Sequence, residues 1–322
     1  LIRPRTDFTQ LRRSWWRRWP ELEILIVAAL GGNALLQRGE KPAAEIELGH
    51  VTDAARQLAK VCDGNDVIIT HGNGPQVGML ALESANDPAL EHPFPLDVLV
   101  AQTQGMIGYW IAQALGNLLD RRVVTVVTQT VVDAHDPAWS KPTKFVGRGY
   151  SKAQVDKLSE RHWIFKQDGD SWRRVVPSPE PIEVVEMSSV TDLLAKGLIV
   201  VCGGGGGIPV TRDRENRLKG VEAVVDKDLA SALIARQVHA DVLLFLTDVP
   251  AVYVDYGTAT QRPLAKVTVE QLRALSFAPG SMGPKVEAAC RFVQATGKRA
   301  SIGTIDDSFA LLEGSVGTSI LP

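Results

Sequence analysis

The sequence predicts an α/β fold: two lobes sharing one continuous, parallel sheet, with a flap inserted between them. Three observations carry this. Short unbroken apolar runs (Ile24–Leu30, Val67–Ile69, Leu198–Cys202, Val242–Leu246) suit strands buried on both faces. Amphipathic helical stripes lie between them. Residues 131–182, rich in Pro, Trp and charge, break the strand–helix rhythm once, as a segment projecting over an active face or a subunit contact does.

The first strand ends abruptly in Gly31-Gly32-Asn33, where bare backbone N–H groups can turn towards a ligand at the strand's carboxyl end. Residues 50–62 then place Val51, Ala54, Ala55, Leu58, Ala59 and Cys62 on one helical face, and Gly64 suits the stop. A second strand, Val67–Thr70, runs into His71-Gly72-Asn73-Gly74-Pro75-Gln76-Val77-Gly78. His71 is either a general acid or base or a holder of loop geometry. Residues 96–120 read as a long helix in which Gly105 and Gly108 allow close packing, and Val123–Thr130 as the next strand.

After the flap the pattern resumes with a helix near 188–196 and the strand Leu198–Cys202, which ends in five glycines, Gly203–Gly207. So many glycines carry a large chain entropy, which points to a close backbone approach to a ligand. If the crossovers have the usual hand, the three glycine-rich strand ends share one sheet edge and line one anion-binding crevice. The motif from Lys219 to Leu229 opens a helix reaching about residue 238, followed by the strand Val242–Asp248. Thr268 and Gln271 have capping-box spacing. Gly280-Ser-Met-Gly-Pro-Lys285 opens a helix whose face is Val286, Ala289, Cys290 and Val293 and whose stop is Gly297. Lys285 is either a solvated surface lysine or a cation that faces an anion, since at a helix start it opposes the dipole.

With 45% hydrophobic and 22% charged residues the composition is that of a soluble globular protein, and 322 residues are enough for a large core. A net charge of −2 supplies no footprint for nucleic acid, so any anion site is local. Cys62, Cys202 and Cys290 lack CxxC spacing, which argues against a disulfide framework or structural zinc and fits a reducing, cytoplasmic setting. Residues 1–20 are basic and tryptophan-rich. Glu21 and Glu23 interrupt any signal-peptide pattern, so the segment reads as a disordered or loosely docked extension, with an organelle transit peptide as the alternative. No other apolar stretch is long enough to span a bilayer, and no membrane partner is expected.

Glycine-rich anion loops with isolated lysines suit phosphoryl transfer, a reaction that needs positioning and charge neutralisation more than covalent chemistry. The chain lacks GxxxxGK[ST], the protein-kinase HRD and DFG elements, and a GxGxxG opening a dinucleotide fold. A phosphotransferase of another architecture is left.

Leu30-Gly-Gly-Asn-Ala-Leu35, Ile69–Gly78, Pro142-Thr-Lys144, Arg173–Pro179, the glycine run into Ile208-Pro-Val210, Val221–Asp228, Leu246-Thr-Asp248 and Gly280–Lys285 together resemble the carbamate kinases, of the amino-acid-kinase fold. The resemblance runs in register from about residue 24 to the C-terminus. It implies a three-layer αβα sandwich on an open, mainly parallel eight-stranded sheet, a homodimer, and reversible phosphoryl transfer between carbamoyl phosphate and ADP, giving ATP and carbamate. Mg²⁺ is carried on the nucleotide, and no protein metal ligand is implied. Carbamate is expected in the N-terminal lobe, 21–210, and nucleotide in the C-terminal lobe, 211–322.

Residue by residue, the resemblance implies that Lys227 bridges the two sides of the transferring phosphoryl and that Asp228 orients the lysines. Lys285, with backbone around Ser281, Met282 and Gly283, holds the terminal phosphates of the nucleotide, which Thr247 and Asp248 border. Gly31, Gly32, Asn33, Gly72, Asn73 and Gly74 cradle carbamate and its phosphate. Other superfamily members place a lysine just before the first Gly-Gly; Ala28-Ala29-Leu30 stands there in this chain, and Lys144 of the flap is expected to supply that charge. Arg148 departs from the proline common in the family's flap motif and, with Gly149, makes a more flexible and more basic flap. A related small-acid or phosphate kinase and a non-catalytic sensor of carbamoyl phosphate or nucleotide are the alternatives. The physiological setting, whether arginine or purine breakdown or carbamoyl phosphate synthesis, is open.

Overall fold

The computed structural model describes residues 24–32, 35–36, 40, 43–158, 163–277 and 282–322; the extension 1–20 lies outside them. Strand β1 (Leu25–Leu30) is buried along nearly its whole length. Helix α1 (Ala44–Cys62) starts earlier than its apolar stripe suggests, with Glu45 and Glu47 in the first turn, where negative charge suits the helix dipole. After β2 (Asp66–His71), the glycine-rich strand end passes at Gly74 into helix α2 (Gly74–Asn86). Pro75 sits in its first turn, where a missing N–H is tolerated.

Helix α3 (Leu96–Gly116) precedes two strands rather than one, β3 (Val123–Thr125) and β4 (Gln129–Val132). The break is made by a side chain of α3. The Gln104 side-chain amide of α3 donates to Thr128 O at 3.0 Å and accepts from Thr128 N at 3.0 Å, satisfying the backbone that a continuing ladder would have used. Gly108 of α3 is packed as expected, since a Cβ there would lie 2.3 Å from Thr125 Cγ2; Gly105 faces open space instead.

The excursion follows as β5 (Lys144–Tyr150), α4 (Lys152–Leu158), β6 (Ile164–Asp168) and β7 (Ser171–Val176), with the strands in the antiparallel order β5-β7-β6. The span 131–182 takes in the end of β4 and the start of β8 (Pro181–Val184), which pair with each other at its base. Next come α5 (Met187–Leu194), β9 (Ile199–Val201), β10 (Ile208–Arg212) and β11 (Leu218–Gly220). A four-stranded sheet, β11-β10-β4-β8, forms beside the main one.

Helix α6 (Lys227–Gln237), β12 (Val242–Thr247) and the hairpin β13 (Val252–Val254) and β14 (Arg262–Leu264) follow. Strand β15 (Lys266–Thr268) leads into α7 (Val269–Arg273), which carries the expected capping box between Thr268 and Gln271. The chain ends with α8 (Met282–Thr296), β16 (Arg299–Thr304), α9 (Ser308–Glu313) and β17 (Thr318–Leu321).

The main sheet has eight strands in the order β15-β17-β16-β12-β1-β2-β9-β3, parallel except between β16 and β17. Alternate residues of its strands feed two apolar layers. Val27, Ala29, Ile68, Val200, Leu243 and Phe245 pack under α5, α6 and α8. Ile26, Ala28, Leu30, Ile69, Val201 and Leu244 pack under α1, α3 and α9. The result is the expected three-layer sandwich. Cys62, Cys202 and Cys290 are free thiols within these layers, and burial pushes the Cys62 and Cys202 thiols up to about 12. Among the described residues no helix is long and apolar enough to cross a membrane.

Candidate active site

Strands β12, β1, β2 and β9 lie side by side and parallel, so their carboxyl ends bring Thr247–Asp248, Gly31–Gly32, His71–Gly74 and Gly203–Gly207 to one edge. The first two glycine-rich turns touch backbone to backbone: a Cβ on Gly72 would lie 3.0 Å from both the Cα and N of Gly32. Gly31 donates to Leu246 O at 2.8 Å, and a Cβ there would lie 3.1 Å from that oxygen. Gly32 and Gly74 have open space on the side where a Cβ would stand. Asn73 is buried, its amide donating to Thr103 Oγ1 at 2.9 Å. Asn33 lies outside the described residues, as does Ser281.

The polyglycine turn has a different partner from the one expected. Gly203–Gly207 are all buried, and the close approach is made by the protein itself. A Cβ on Gly204 would meet His71 Nε2 at 2.4 Å, one on Gly205 would meet Asn73 Nδ2 at 2.1 Å, and one on Gly207 would meet Thr130 Oγ1 at 2.0 Å. With φ of +63° at Gly205, +90° at Gly206 and +89° at Gly207, the turn is also closed to side chains conformationally. It is a platform that sets His71 and Asn73.

His71 is therefore a structural residue of this edge. Its Nδ1 donates to Gly72 O at 3.0 Å, and burial, aided by the Lys227 charge, pushes its pKa down to about 4. The ring is neutral at physiological pH.

The charged part of the site is built on the start of α6. Asp226 is its N-cap: Oδ1 accepts from Asp228 N at 2.9 Å and Leu229 N at 3.2 Å. The first two helical residues are Lys227 and Asp228. Lys227 Nζ stands 2.8 Å from Asp228 Oδ1, and Lys285 Nζ, in the first turn of α8, donates to Asp228 Oδ2 at 3.2 Å. Asp228 is thus the anion that a lysine at that helix start requires. Lys144, at the start of β5, donates to Asp226 Oδ2 at 2.5 Å. The structure so brings Lys144, Lys227, Asp228 and Lys285 together. It adds Asp226, which sequence reasoning missed although an Asp directly before a helix start is the ordinary capping signal.

Three ammoniums face two carboxylates, so the cluster carries an excess positive charge. Burial alone would raise the Asp228 pKa, but Lys227 and Lys285 outweigh it and hold the carboxyl well below the usual range. Burial lowers the Lys227 pKa, and Lys285 adds to this against the pull of Asp228. Burial also works against the Lys144 ammonium, yet Asp226, with Asp228 behind it, raises its pKa despite the charge of Arg173.

Lys227 Nζ is buried against the Asp228 carboxylate, 2.8 Å from Oδ1. An ammonium has three N–H donors, so this pairing leaves Lys227 able to donate to a further acceptor placed beside it.

Thr247 and Asp248 stand at the end of β12, hydrogen-bonded to each other at 3.0 Å, with Asp248 exposed at the rim. Met282 and Gly283 form the half-buried start of α8. Among the described residues no group of three His, Cys, Asp or Glu is placed to hold a metal ion. The cavity lined by Phe94, Trp163, Arg174 and Glu222 shares no residue with the lysine cluster.

Residues 25–304 match the model of the amino acid kinase family. The chain is 48% identical over 301 residues to the carbamate kinase of Rhizobium meliloti (strain 1021), covering 92% of each chain. It is 49% identical over 298 residues to that of Haemophilus influenzae, covering 92% of this chain and 96% of the relative. Among solved structures, carbamate kinase from Giardia lamblia bound to AMP-PNP is 40% identical with a TM-score of 0.85, covering 93% of this chain and 98% of that one.

Proposed function

We propose that the lysine cluster of this chain, which belongs to the amino acid kinase family and within it to the carbamate kinases, neutralises the phosphoryl group passed between carbamoyl phosphate and ADP. The activity is that of a carbamate kinase, an ATP-dependent phosphotransferase: carbamoyl phosphate and ADP give ATP and carbamate, reversibly. The observation that carries the residue assignment is Lys227, a buried ammonium held against one carboxylate oxygen in a cluster where three ammoniums share two carboxylates.

In the ATP-forming direction a terminal oxygen of ADP attacks the phosphorus of carbamoyl phosphate, and the P–O bond to carbamate breaks. Carbamate leaves as a stable anion, and in reverse it is already a nucleophile, so neither direction needs a general base. The neutral, buried His71 suits that requirement. The difficulty is bringing anions together, and fixed cations answer it. Lys227 bridges the donor and acceptor sides of the phosphoryl, Lys285 holds the terminal phosphates of the nucleotide, and Lys144 brings a third charge from the flap. Asp228 holds Lys227 and Lys285 on its two carboxylate oxygens, at 2.8 and 3.2 Å.

The backbone at Gly31–Asn33 and Gly72–Gly74 cradles carbamate and its phosphate in a lobe of residues 21–210. Thr247, Asp248 and Ser281–Gly283 border the nucleotide in the lobe 211–322. Mg²⁺ arrives on the nucleotide and shields its phosphates; Asp226 and Asp228, the carboxylates at the cluster, are engaged by lysines. A homodimer and a cytoplasmic location complete the reading, the first resting on the family resemblance and the second on three free thiols.

ATP formation from Mg-ADP, measured in parallel with carbamoyl phosphate and acetyl phosphate, tests the substrate. Selective turnover of carbamoyl phosphate is expected; equal kcat/KM for acetyl phosphate would favour a broader small-acid kinase.

A further inference from the structure

We propose that Asp226 is a positioning residue for the flap: one carboxylate oxygen caps the helix that carries Lys227 and Asp228 while the other holds Lys144, setting the flap ammonium in register with the body lysines. The proposal rests on the reading of Lys144 as a phosphoryl-neutralising residue. Oδ1 is committed to the backbone N–H groups of Asp228 and Leu229 at 2.9 and 3.2 Å, which leaves Oδ2 free to accept from Lys144 Nζ at 2.5 Å. A cap alone needs only one neutral acceptor, and Ser, Thr or Asn would serve as well. The second oxygen and the charge exceed what capping requires, and both are directed at the flap.

The flap is held to the body near this point by packing and by charge. Gly147 of β5 lies against Gly78 of α2, and Val146 and Val176 pack with Val77, Leu96 and Leu99. Those contacts are apolar and backbone packing. The Lys144–Asp226 contact is an ion pair, with 36% of the lysine side chain and 11% of the aspartate side chain accessible. An incoming phosphoryl group offers Lys144 a second acceptor beside the first. Asp226 stays in place through the exchange, because its other oxygen is fixed to the helix. Lys144 can then shift between carboxylate and phosphoryl without the flap searching for its closed position.

The test is a double-variant cycle of Asp226→Asn, Lys144→Gln and both together, read as kcat and KM for ATP formation from carbamoyl phosphate and Mg-ADP, with thermal unfolding alongside. Asn keeps the capping oxygen, so the fold is expected to persist. Asp226→Asn should lower kcat about tenfold or more with KM for ADP changed by no more than about twofold, as expected for lost orientation. The double variant should be no slower than Lys144→Gln alone, within about twofold, because Asp226 acts through that lysine. Wild-type kcat in Asp226→Asn, or losses that multiply in the double variant, would overturn the proposal. Asp226→Ser, which caps without charge, serves as the second variant; failure of both to fold would assign Asp226 to the fold alone and equally overturn it. A wild-type protein inactive with these substrates would instead sink the carbamate kinase reading, and full activity in Lys144→Gln would sink the role of the flap lysine.

Discussion

Replacing Gly78 with alanine sets helix propensity against the seating of the flap. Gly78 is an interior residue of α2, where alanine is intrinsically better than glycine by roughly 1 kcal/mol, so propensity alone predicts a more stable protein. The structure predicts the reverse. A Cβ at Gly78 would lie 2.0 Å from Gly147 Cα and 2.3 Å from Gly147 N, backbone atoms that no rotamer change can move. Ordinary carbon contact near 3.5 Å requires β5 to retreat by roughly 1.5 Å. Lys144 is on the same strand, about 10 Å along it at the usual rise per residue, and a strand that shifts as a unit carries its ammonium away from Asp226. Overpacking of this kind costs about 1–3 kcal/mol, and a misplacement near 1 Å in a reacting constellation can cost about a hundredfold in rate. Thermal unfolding with steady-state ATP formation reads both effects. Gly105→Ala, at an exposed helical site with nothing within 4 Å, is the control and should be slightly stabilised with unchanged turnover. A Gly78→Ala protein at least as stable as wild type, with wild-type turnover, would refute the seating argument.

Two further predictions concern buried charge. His71 titrates at about 4 in the fold against about 6.5 unfolded, so between those values the unfolded chain binds a proton that the native one does not. Stability should therefore fall as pH drops from 6.5 towards 4, by on the order of 3 kcal/mol from this group, and urea unfolding of His71→Asn at pH 7 and pH 5 should show a smaller difference than wild type. Asp228→Asn leaves the buried Lys227 and the half-buried Lys285 against a neutral amide and should destabilise by about 3 kcal/mol, whereas Lys227→Ala should be milder because Asp228 keeps Lys285. The order of the two midpoints in urea checks this, and the reverse order would mean that Asp228 does not organise the pair.

The parts of the fold legible in the sequence were those set by local pattern. Strands buried on both faces must be unbroken apolar runs, and Ile24–Leu30, Val67–Thr70, Leu198–Cys202 and Val242–Asp248 correspond to β1, β2, β9 and β12. The Thr268–Gln271 capping box and the stop at Gly297, with φ of +69°, are equally local. What escaped depends on partners distant in sequence. Gly74, Pro75 and Gly78 read as a loop because they are poor helix formers; Gly78 is required by a contact with Gly147 that no local pattern contains. The break after Thr125 is made by Gln104 of another element, and the glycines at 203–207 yield to His71 and Asn73 of one distant segment and Thr130 of another.

The same distinction runs through the site. The glycine-rich strand ends pointed to one shared sheet edge, and the parallel order β12-β1-β2-β9 places them side by side. The lysines were another matter. Lys144, Lys227 and Lys285 are on separate elements, so only the family resemblance could connect them before the fold did. The structure supplies the physical link, two carboxylates at the start of α6 that gather all three.

The most direct test of the account is ATP formation from carbamoyl phosphate, ADP and Mg²⁺ by the wild type and Lys227→Ala, with nucleotide binding and thermal unfolding measured on both. The account predicts turnover in the wild type and a loss of at least about a hundredfold in a folded, nucleotide-binding variant, the scale expected for removing an electrostatic stabiliser of the transferring group. Near-wild-type turnover in Lys227→Ala would contradict it and remove the buried ammonium from the mechanism.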